Sequence, residues 1–152
     1  MLRFDLCSGL HKLVPERPHE RPACAHEHIG DAPASETEAR RKAERWLRGS
    51  AEPDVRWINY VARRAGRLVG LAQATVARGT CEIAYLVDPA AQHQGFGTEM
   101  MRAFCAELRA TLDPAEFTAH ILPGHAASEG VAKALGLVPT GDRVDGERVW
   151  RR

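Results

Sequence analysis

The stretch EIAYLVDPAAQHQGFGT, residues 82–98, decides the fold. A run of strand-forming residues ends at Asp88-Pro89, and a glycine-containing loop then opens into an amphipathic pattern that predicts a helix from near Gly97. The first turn of a helix leaves backbone amides unpaired, and the helix dipole adds partial positive charge there. We therefore expect the loop to hold a phosphate or pyrophosphate through its amides, because Gly95 and Gly97 lack Cβ atoms that would keep an anion away.

This glycine pattern admits more than one interpretation. A dinucleotide-binding fingerprint needs a third glycine, and residues 98–100 after Gly95-Phe96-Gly97 include none. A Walker loop needs Gly-Lys followed by Ser or Thr, a pattern that the sequence lacks. Two hypotheses remain: an anion-binding helix start, and a helix start whose glycines only permit a tight turn.

The segments before the loop predict antiparallel strands. Three strand-like runs, separated by short turns, cover residues 57–62, 68–76 and 81–87. Short turns of this kind join neighbouring antiparallel strands. Earlier in the chain, we expect a strand near residues 10–14 and a helix capped by Ser35, with Glu38 at capping-box spacing.

The segments after the loop predict a layered domain. The helix near Gly97 carries a stripe predicted to be buried: Met101, Phe104, Cys105, Leu108 and Leu112. A fifth strand at 117–122, a short helix at 126–135 and a final hairpin with strands at 137–140 and 148–151 follow. The predicted fold class is α/β (α+β): one domain over residues 1–152, with a mixed, mostly antiparallel sheet of about six to seven strands flanked by helices.

Composition and charge narrow the class of function. The formal net charge of +1 gives no electrostatic footprint for nucleic acid or for an anionic membrane. No uncharged stretch approaches the roughly 20 apolar residues of a membrane span, and the N-terminus lacks the pattern of a signal peptide. Four cysteines without a C-x-x-C pair indicate reduced thiols, and we expect a cytoplasmic protein.

Residues 15–33 are rich in Pro, His and Glu and lack periodicity, so we expect an irregular connection that a ligand can order. This segment holds a loose group of metal-capable side chains: His19, Cys24, His26 and His28. Their spacing matches no closed zinc pattern, and no metal site is predicted.

The glycine loop and the segments on either side of it resemble a known family. Gln92-x-x-Gly95-x-Gly97 matches the Q/R-x-x-G-x-G/A acetyl-CoA signature of the GNAT N-acetyltransferases. Residues 82–89 and 128–137 are similar to the branch that includes ribosomal-protein N-terminal acetyltransferases, and the resemblance runs from about residue 57 to the C-terminus. The resemblance implies a sheet splayed between its fourth and fifth strands. It also implies transfer of the acetyl group of acetyl-CoA to a primary amine by direct attack in a ternary complex.

The resemblance assigns acetyl-CoA, as cosubstrate, to the loop and its surroundings. Main-chain groups of Leu86 and Val87 would pair with the pantetheine arm, and the amides from His93 to Thr98 would hold the pyrophosphate. The residues implied in cofactor binding are Leu86, Val87, Gln92, His93, Gln94, Gly95, Phe96, Gly97, Thr98, His125 and Ser128.

Glu82 is the residue that we expect to act as general base. It opens the fourth strand, where members of the family often carry a catalytic glutamate, and a carboxylate can take the proton that an attacking ammonium must lose. A solvent-facing glutamate at a strand edge is the competing interpretation. Tyr85 is expected in the core rather than in the acceptor site, and His120 is either a proton relay or a hydrogen-bonded strand histidine.

His125 and Ser128 depart from the family pattern. Members commonly carry Asn where His125 stands, and many carry a Tyr at the position of Ala132 that protonates the leaving thiolate. Ser128, His125 or water would serve here, unless the thiolate leaves without an acid. We therefore count His125 and Ser128 with Glu82 as candidate catalytic residues.

The acceptor and the assembly stay open at the level of sequence. The expected partners are acetyl-CoA and an amine acceptor, either a small molecule or a protein N-terminus, with no nucleic acid and no membrane. The exposed last strand leaves a monomer or a homodimer possible. The alternative function is a non-catalytic acyl-CoA-binding module of the same fold.

Overall fold

The computed structural model describes residues 3–6 and 35–152 of the chain. The elements, in chain order, are β1 (Arg3–Leu6), α1 (Glu36–Arg48), β2 (Val55–Arg64), β3 (Arg67–Ala77), β4 (Thr80–Val87), a short 3-10 helix (Pro89–Ala91), α2 (Phe96–Leu112), β5 (Glu116–Ile121), α3 (Ala126–Ala134), β6 (Val138–Val144) and β7 (Glu147–Arg151). The predicted succession of strands and helices from Ser35 onwards is confirmed, with boundary shifts of a few residues. The 3-10 helix was not predicted.

The strands of these described residues form a seven-stranded sheet in the order β1-β2-β3-β4-β5-β7-β6. Neighbouring strands are antiparallel except for β4 and β5, which run parallel. The prediction of a mixed, mostly antiparallel sheet flanked by helices is therefore confirmed. The pair is parallel because α2 returns the chain to the end of the sheet at which β4 begins, so β5 runs in the same direction as β4.

The N-terminal predictions meet the structure only in part. The strand predicted at residues 10–14 and the irregular segment at 15–33, with its His and Cys group, lie outside the described residues. The first described strand is β1, which pairs antiparallel with β2 through Arg3↔Arg63 and Leu6↔Tyr60.

The expectation that the last strand is an exposed edge is wrong. Strand β7 lies inside the sheet, where it pairs with β5 on one side and with β6 on the other. Its Trp150 is 2% exposed, because the neighbouring strands β5 and β6 cover this large aromatic side chain from both sides. Strand β6 is the edge, and its Val138 and Val144 are exposed.

The helices cover the two faces of the sheet. Tyr60 of β2 packs its ring against Phe104 of α2, whereas the neighbouring Asn59 donates from its side-chain Nδ2 to the carbonyl oxygen of Trp46 in α1. Because successive strand residues point to opposite faces, α1 and α2 lie on opposite sides of the sheet. Helix α3 lies on the α2 side, where its Ala132 joins the core cluster.

The predicted buried stripe of α2 is confirmed in four of its five members. Met101, Phe104, Cys105 and Leu108 are buried, and Leu112 is half-buried against the same cluster. The first helix is capped as its sequence predicts, since the Ser35 hydroxyl accepts a hydrogen bond from the Glu38 amide at 3.2 Å. Local sequence signals therefore place both helices correctly.

Two buried thiols make the fold sensitive to alkali. Burial raises the pKa of the Cys81 thiol from 9.0 to about 12 and that of Cys105 from 9.0 to about 11. A nearby Cys105 and Glu82 add to the effect at Cys81, while Arg152 and Arg109 oppose it at Cys105. Above about pH 9 the unfolded chain loses both protons while the folded chain keeps them, so stability falls as pH rises.

We expect the free energy of unfolding to be about 2–3 kcal/mol lower at about pH 10 than at about pH 8 through these two thiols. Urea unfolding at the two pH values measures the difference. The double variant Cys81→Ala/Cys105→Ala serves as the control and should lose most of this pH dependence. An equally steep fall in the double variant would assign the effect to other groups.

Candidate functional site

Strands β4 and β5 separate part of the way along their length. Their parallel pairing covers three rungs, Thr80↔Glu116, Cys81↔Phe117 and Glu82↔Thr118, and it ends there although β4 continues to Val87 and β5 to Ile121. The predicted splay between the fourth and fifth strands is therefore confirmed. Glu82 stands at the last paired rung, where the gap opens.

A cavity of about 60 Å³ occupies this gap. Its walls come from β4, from β5 and the residues that follow it, and from α3. The lining residues are Ile83, Ala84, Tyr85, Ala119, His120, Ile121, Leu122, His125, Ser128, Val131, Ala132, Leu135, Leu137 and Glu147. The cavity is thus mainly apolar, with a few polar groups at its border, as is typical of ligand sites.

The loop between β4 and α2 is braced by its own side chains. The Asp88 carboxylate accepts from the Ala90 amide at 2.8 Å, and the Gln92 side-chain amide donates to the Val87 carbonyl oxygen at 3.2 Å. The Gln94 side-chain amide donates to the Ala90 carbonyl oxygen at 3.1 Å. The Gln92 and Gln94 side-chain amides are thus used within the loop, and they hold its conformation through the chain's own groups.

The N-terminus of α2 differs from those of the other two helices in the described part of the chain. Helix α1 is capped by the Ser35 hydroxyl, and α3 is capped by His125. The N-cap of α2 is Gly95, which has no side chain to accept from the first-turn amides. The amides of Phe96, Gly97 and Thr98 therefore lack a side-chain cap, and they stand at the positive end of a 17-residue helix dipole.

The two glycines of the loop serve different purposes. Gly95 has a φ of +81°, the left-handed conformation that glycine adopts without strain. A Cβ at Gly97 would lie 3.3 Å from Val87 Cγ2 and 3.6 Å from Val131 Cγ2. Gly97 therefore favours close packing of α2 against Val87 of β4, which is a reason that differs from the predicted one.

The main chain of β4 turns some of its groups toward the gap, where the Val87 carbonyl oxygen also accepts from the Gln92 side chain. The Asp88 amide donates to the Val69 carbonyl oxygen of β3 at 2.9 Å. Because backbone groups alternate in direction along a strand, Leu86 also faces β3, while Tyr85 and Val87 face the β5 side. Of the two residues predicted to pair with a ligand's extended arm, Val87 thus has main-chain groups at the gap and Leu86 does not.

Glu82 and His120 meet across the mouth of the gap. The Glu82 Oε1 atom lies 3.8 Å from His120 Nδ1, which is an ion-pair distance when the imidazole is protonated and is too long for a hydrogen bond. The Glu82 side chain is 50% exposed and that of His120 is 23% exposed. Both residues alternate with core-facing neighbours, so their side chains lie on the α1 side of the sheet. The predicted base is thus within reach of solvent and of a partner histidine.

His125 caps α3 in the way that an asparagine would. Its Nδ1 accepts from the Ser128 amide at 3.1 Å, so a neutral imidazole carries its proton on Nε2. The structure thus gives His125 a helix-capping role and places its side chain in the wall of the cavity. His125 and Ser128 are brought together at the same end of the gap.

Tyr85 packs half-buried against the core, as the sequence predicts, and also lines the cavity on the α3 side. Burial raises the pKa of the Tyr85 hydroxyl, and a side-chain hydrogen bond with Ser128 opposes this increase. The phenol therefore stays protonated at neutral pH and can donate. Its alternation with Ile83 and Val87 along β4 is the sequence signal that places it on the α3 side.

Glu147 lines the cavity, although no sequence pattern points to it. It begins β7, next to the turn at Asp145-Gly146, and lies at the cavity border because β7 pairs with β5. That pairing joins segments distant in sequence, and no local pattern reveals it.

No group of three or more His, Cys, Asp or Glu side chains in the described residues is arranged to hold a metal ion. None of the helices in the same residues is long and apolar enough to cross a membrane.

Comparison with known proteins gives a family and several neighbours in fold. Residues 14–138 match the sequence model of the family described as Acetyltransferase (GNAT) domain. No curated protein sequence matches the chain significantly. Among solved structures, the aminoglycoside acetyltransferase AAC(6')-Ib in complex with coenzyme A is similar, with a TM-score of 0.76 and 18% identity over 100% of this chain and 94% of that one.

Two further solved structures share the fold. The ribosomal-protein-S5-alanine acetyltransferase from Vibrio fischeri has a TM-score of 0.57 and 15% identity over 63% of this chain. The match spans only 61% of the length of that enzyme. The N-acetyltransferase PseH from Campylobacter jejuni, in complex with acetyl coenzyme A, has a TM-score of 0.63 and 11% identity over 76% of this chain and 77% of that one. The neighbours thus include the ribosomal-protein branch that the sequence resembles.

Proposed function

The chain belongs to the GNAT acetyltransferase family, and we propose that it moves the acetyl group of acetyl-CoA to a primary amine by direct attack in a ternary complex. The observation that carries this proposal is the uncapped N-terminus of α2 beside the splay of β4 and β5. The first feature offers amides to a pyrophosphate, and the second offers a free strand edge to the extended arm of the same cofactor.

Acetyl-CoA binds along this surface in the proposed complex. The amides from His93 to Thr98 hold the pyrophosphate, with Gln92 bracing the loop through Val87. The pantetheine arm lies along β4 and pairs with main-chain groups of Val87, while Leu86 supports it from the neighbouring position. The thioester reaches the gap near His125 and Ser128. Similar solved structures hold coenzyme A or acetyl coenzyme A, which supports this choice of cosubstrate.

The chemistry of the proposed reaction needs two protons to leave the nitrogen of the acceptor's ammonium, one before attack and one after it, and one proton to reach the sulfur. Glu82 takes the first proton from the acceptor's ammonium, directly or through water. The amine nitrogen then attacks the carbonyl carbon, a C–N bond forms and the C–S bond breaks with its electron pair on sulfur. The Val87 amide faces the gap and stabilises the oxyanion, while His125 and Ser128 lie at the leaving sulfur.

The acceptor reaches Glu82 from the α1 side of the sheet, where the glutamate is half exposed. Neighbours in fold act on different amines: one is an aminoglycoside acetyltransferase and another a ribosomal-protein-S5-alanine acetyltransferase. We therefore propose either a small-molecule amine or a protein N-terminus as acceptor. An acceptor panel should contain an aminoglycoside and a short peptide that begins with alanine.

The first test is a calorimetric titration of acetyl-CoA into the protein and into two variants. Gly95→Trp places bulk at the α2 N-cap, where a Cβ meets no protein atom within 4 Å and φ is +81°. We expect it to weaken acetyl-CoA binding by at least about 100-fold, since the side chain keeps the pyrophosphate away from the helix amides and each lost charge-assisted hydrogen bond costs about 1.5–3 kcal/mol. The matched control is Gly146→Trp, because Gly146 has a φ of +86°, equally free surroundings and a position in the β6–β7 turn.

The outcomes separate the hypotheses. Binding to the wild type and to Gly146→Trp, with loss in Gly95→Trp, supports the loop as the cofactor site. No binding to the wild type contradicts the proposal and leaves the glycines as a simple helix start. Binding without release of coenzyme A for any amine in the panel favours the acyl-CoA-binding module.

A further inference from the structure

The gap between β4 and β5 contains two hydroxyl groups on its α3 side. Tyr85 projects from β4 and Ser128 from the first turn of α3, and both line the cavity. The Tyr85 ring is held from behind by the start of α2, since its Cε2 atom lies 3.7 Å from where a Cβ of Gly97 would be. The Tyr85 ring therefore packs against the first turn of α2 at Gly97, with its edge in the cavity wall.

The Tyr85 and Ser128 hydroxyls are neighbours in the cavity wall, and a hydrogen bond between them uses at most one O–H. Two hydroxyls carry two hydrogens, so the pair keeps one hydrogen to offer to another acceptor. The Ser128 amide is already satisfied by His125 Nδ1, which fixes the first turn of α3 and the place of the Ser128 side chain. The remaining O–H belongs to a pair that borders a mainly apolar cavity.

On the basis of the proposed function, we propose that Tyr85 is a catalytic residue that donates a hydrogen bond to the sulfur of the departing coenzyme A, with Ser128 as the residue that positions it. As the C–S bond breaks, its electron pair moves to sulfur and the Tyr85 O–H stabilises the thiolate. The nitrogen loses two protons, one from the ammonium before attack and one from the tetrahedral intermediate; both pass to solvent, the first through Glu82, and solvent returns one proton to the thiolate, so one net proton is released per acetyl group transferred. Protons and electrons balance without a further reactant.

The arrangement places the two polar tasks on opposite faces of the sheet. Glu82 and His120 lie on the α1 side, where the amine enters. Tyr85 and Ser128 lie on the α3 side of the same gap. The amine then attacks the thioester carbonyl carbon from the α1 side, and the sulfur leaves toward the α3 side. Burial raises the pKa of the Tyr85 hydroxyl, which keeps it a neutral donor at the pH where a thiol ionises.

The experiment compares the affinities of coenzyme A and desulfo-coenzyme A, which lacks only the sulfur, by calorimetry at about pH 8.5, where a thiol is about half ionised. It needs no knowledge of the acceptor. We expect the wild type to bind coenzyme A about 10-fold more tightly than desulfo-coenzyme A, as a hydrogen bond to a charged group predicts. Tyr85→Phe should reduce the preference to about twofold or less, and Ser128→Ala should reduce it in part.

Tyr60→Phe is the matched control. Tyr60 is the other tyrosine of the chain, it packs against Phe104 on the same side of the sheet, and burial raises its pKa too. It does not line the cavity. We expect Tyr60→Phe to keep the full preference for coenzyme A. With an active acceptor, Tyr85→Phe should also lower kcat about 10-fold while KM for acetyl-CoA stays within about twofold.

Each result decides between named alternatives. A wild type that binds both ligands equally, or a Tyr85→Phe variant that keeps the preference, overturns the role of Tyr85 and leaves the proposed function standing. A wild type that binds neither ligand nor acetyl-CoA overturns the proposed function as well. Circular dichroism of each variant confirms that it is folded, and Ser128→Ala provides an independent test if Tyr85→Phe does not fold.

Discussion

Replacing Glu82 with Gln is expected to lower kcat/KM for acetyl transfer by about 10²- to 10⁴-fold, the range typical of a lost general base. The neutral amide keeps the shape of the side chain and cannot take a proton from the attacking ammonium. The side chain stands at the last rung of the β4–β5 pair, 3.8 Å from His120, so the change also removes the charge that faces the imidazole. Acetyl-CoA affinity should stay close to that of the wild type, because Glu82 lies away from the α2 loop.

The measurement is the rate of coenzyme A release, followed with a thiol reagent, on the best acceptor from the panel. Glu116→Gln is the matched control. It removes the same charge at the other end of the paired rungs, where Glu116 lies opposite Thr80. We expect the control to keep most of its activity. Turnover by Glu82→Gln at the wild-type rate would remove Glu82 from the base role and favour the competing interpretation, a solvent-facing strand glutamate.

Truncating Phe104 to alanine is expected to lower the free energy of unfolding by about 3–5 kcal/mol, the cost of a large cavity in a packed core. Phe104 is 2% exposed, lies in the middle of the apolar stripe of α2 and packs on the Tyr60 ring with centroids 5.3 Å apart. The loss corresponds to a fall in Tm of about 10 °C or more for a chain of this size. Urea and thermal unfolding measure it.

The control for Phe104 is a truncation at the surface. Val138→Ala removes apolar atoms from a side chain that is 62% exposed, and it should change stability by less than about 0.5 kcal/mol. Where Phe104→Ala does not fold, Phe104→Leu provides a milder variant, expected to cost about 1 kcal/mol. A loss below about 1 kcal/mol in Phe104→Ala would show that the cluster around it repacks to fill the space.

Several elements were predictable because their signals are local. The Ser35 hydroxyl caps α1 from three residues away, and the stripe of α2 repeats within single turns of one helix. The hairpin of β6 and β7 turns at Asp145-Gly146, where both residues have positive φ. In each case the atoms that decide the structure lie within a few residues of one another, so a short window of sequence contains the necessary information.

Other features depended on contacts between distant segments. The sheet order inserts β7 between β5 and β6, which made the predicted edge strand wrong. The tight space at Gly97 comes from the Val87 side chain of β4. The approach of His120 to Glu82 follows from where the parallel rungs of β4 and β5 end. None of these contacts leaves a periodicity or a turn signal, because the partners lie on separate elements of the fold.

The sequence by itself therefore determined the element order from Ser35 onwards, the glycine loop before α2 and the resemblance to the GNAT family, since these rest on local hydrophobic period, capping and a short motif. Only the tertiary structure decided which side chains share the gap. Tyr85, His125 and Ser128 meet on one side of it and Glu82 and His120 on the other. The reason is that the parting of β4 from β5 after three rungs, and the packing of α3 over the opening, are set by pairing and packing across the whole sheet.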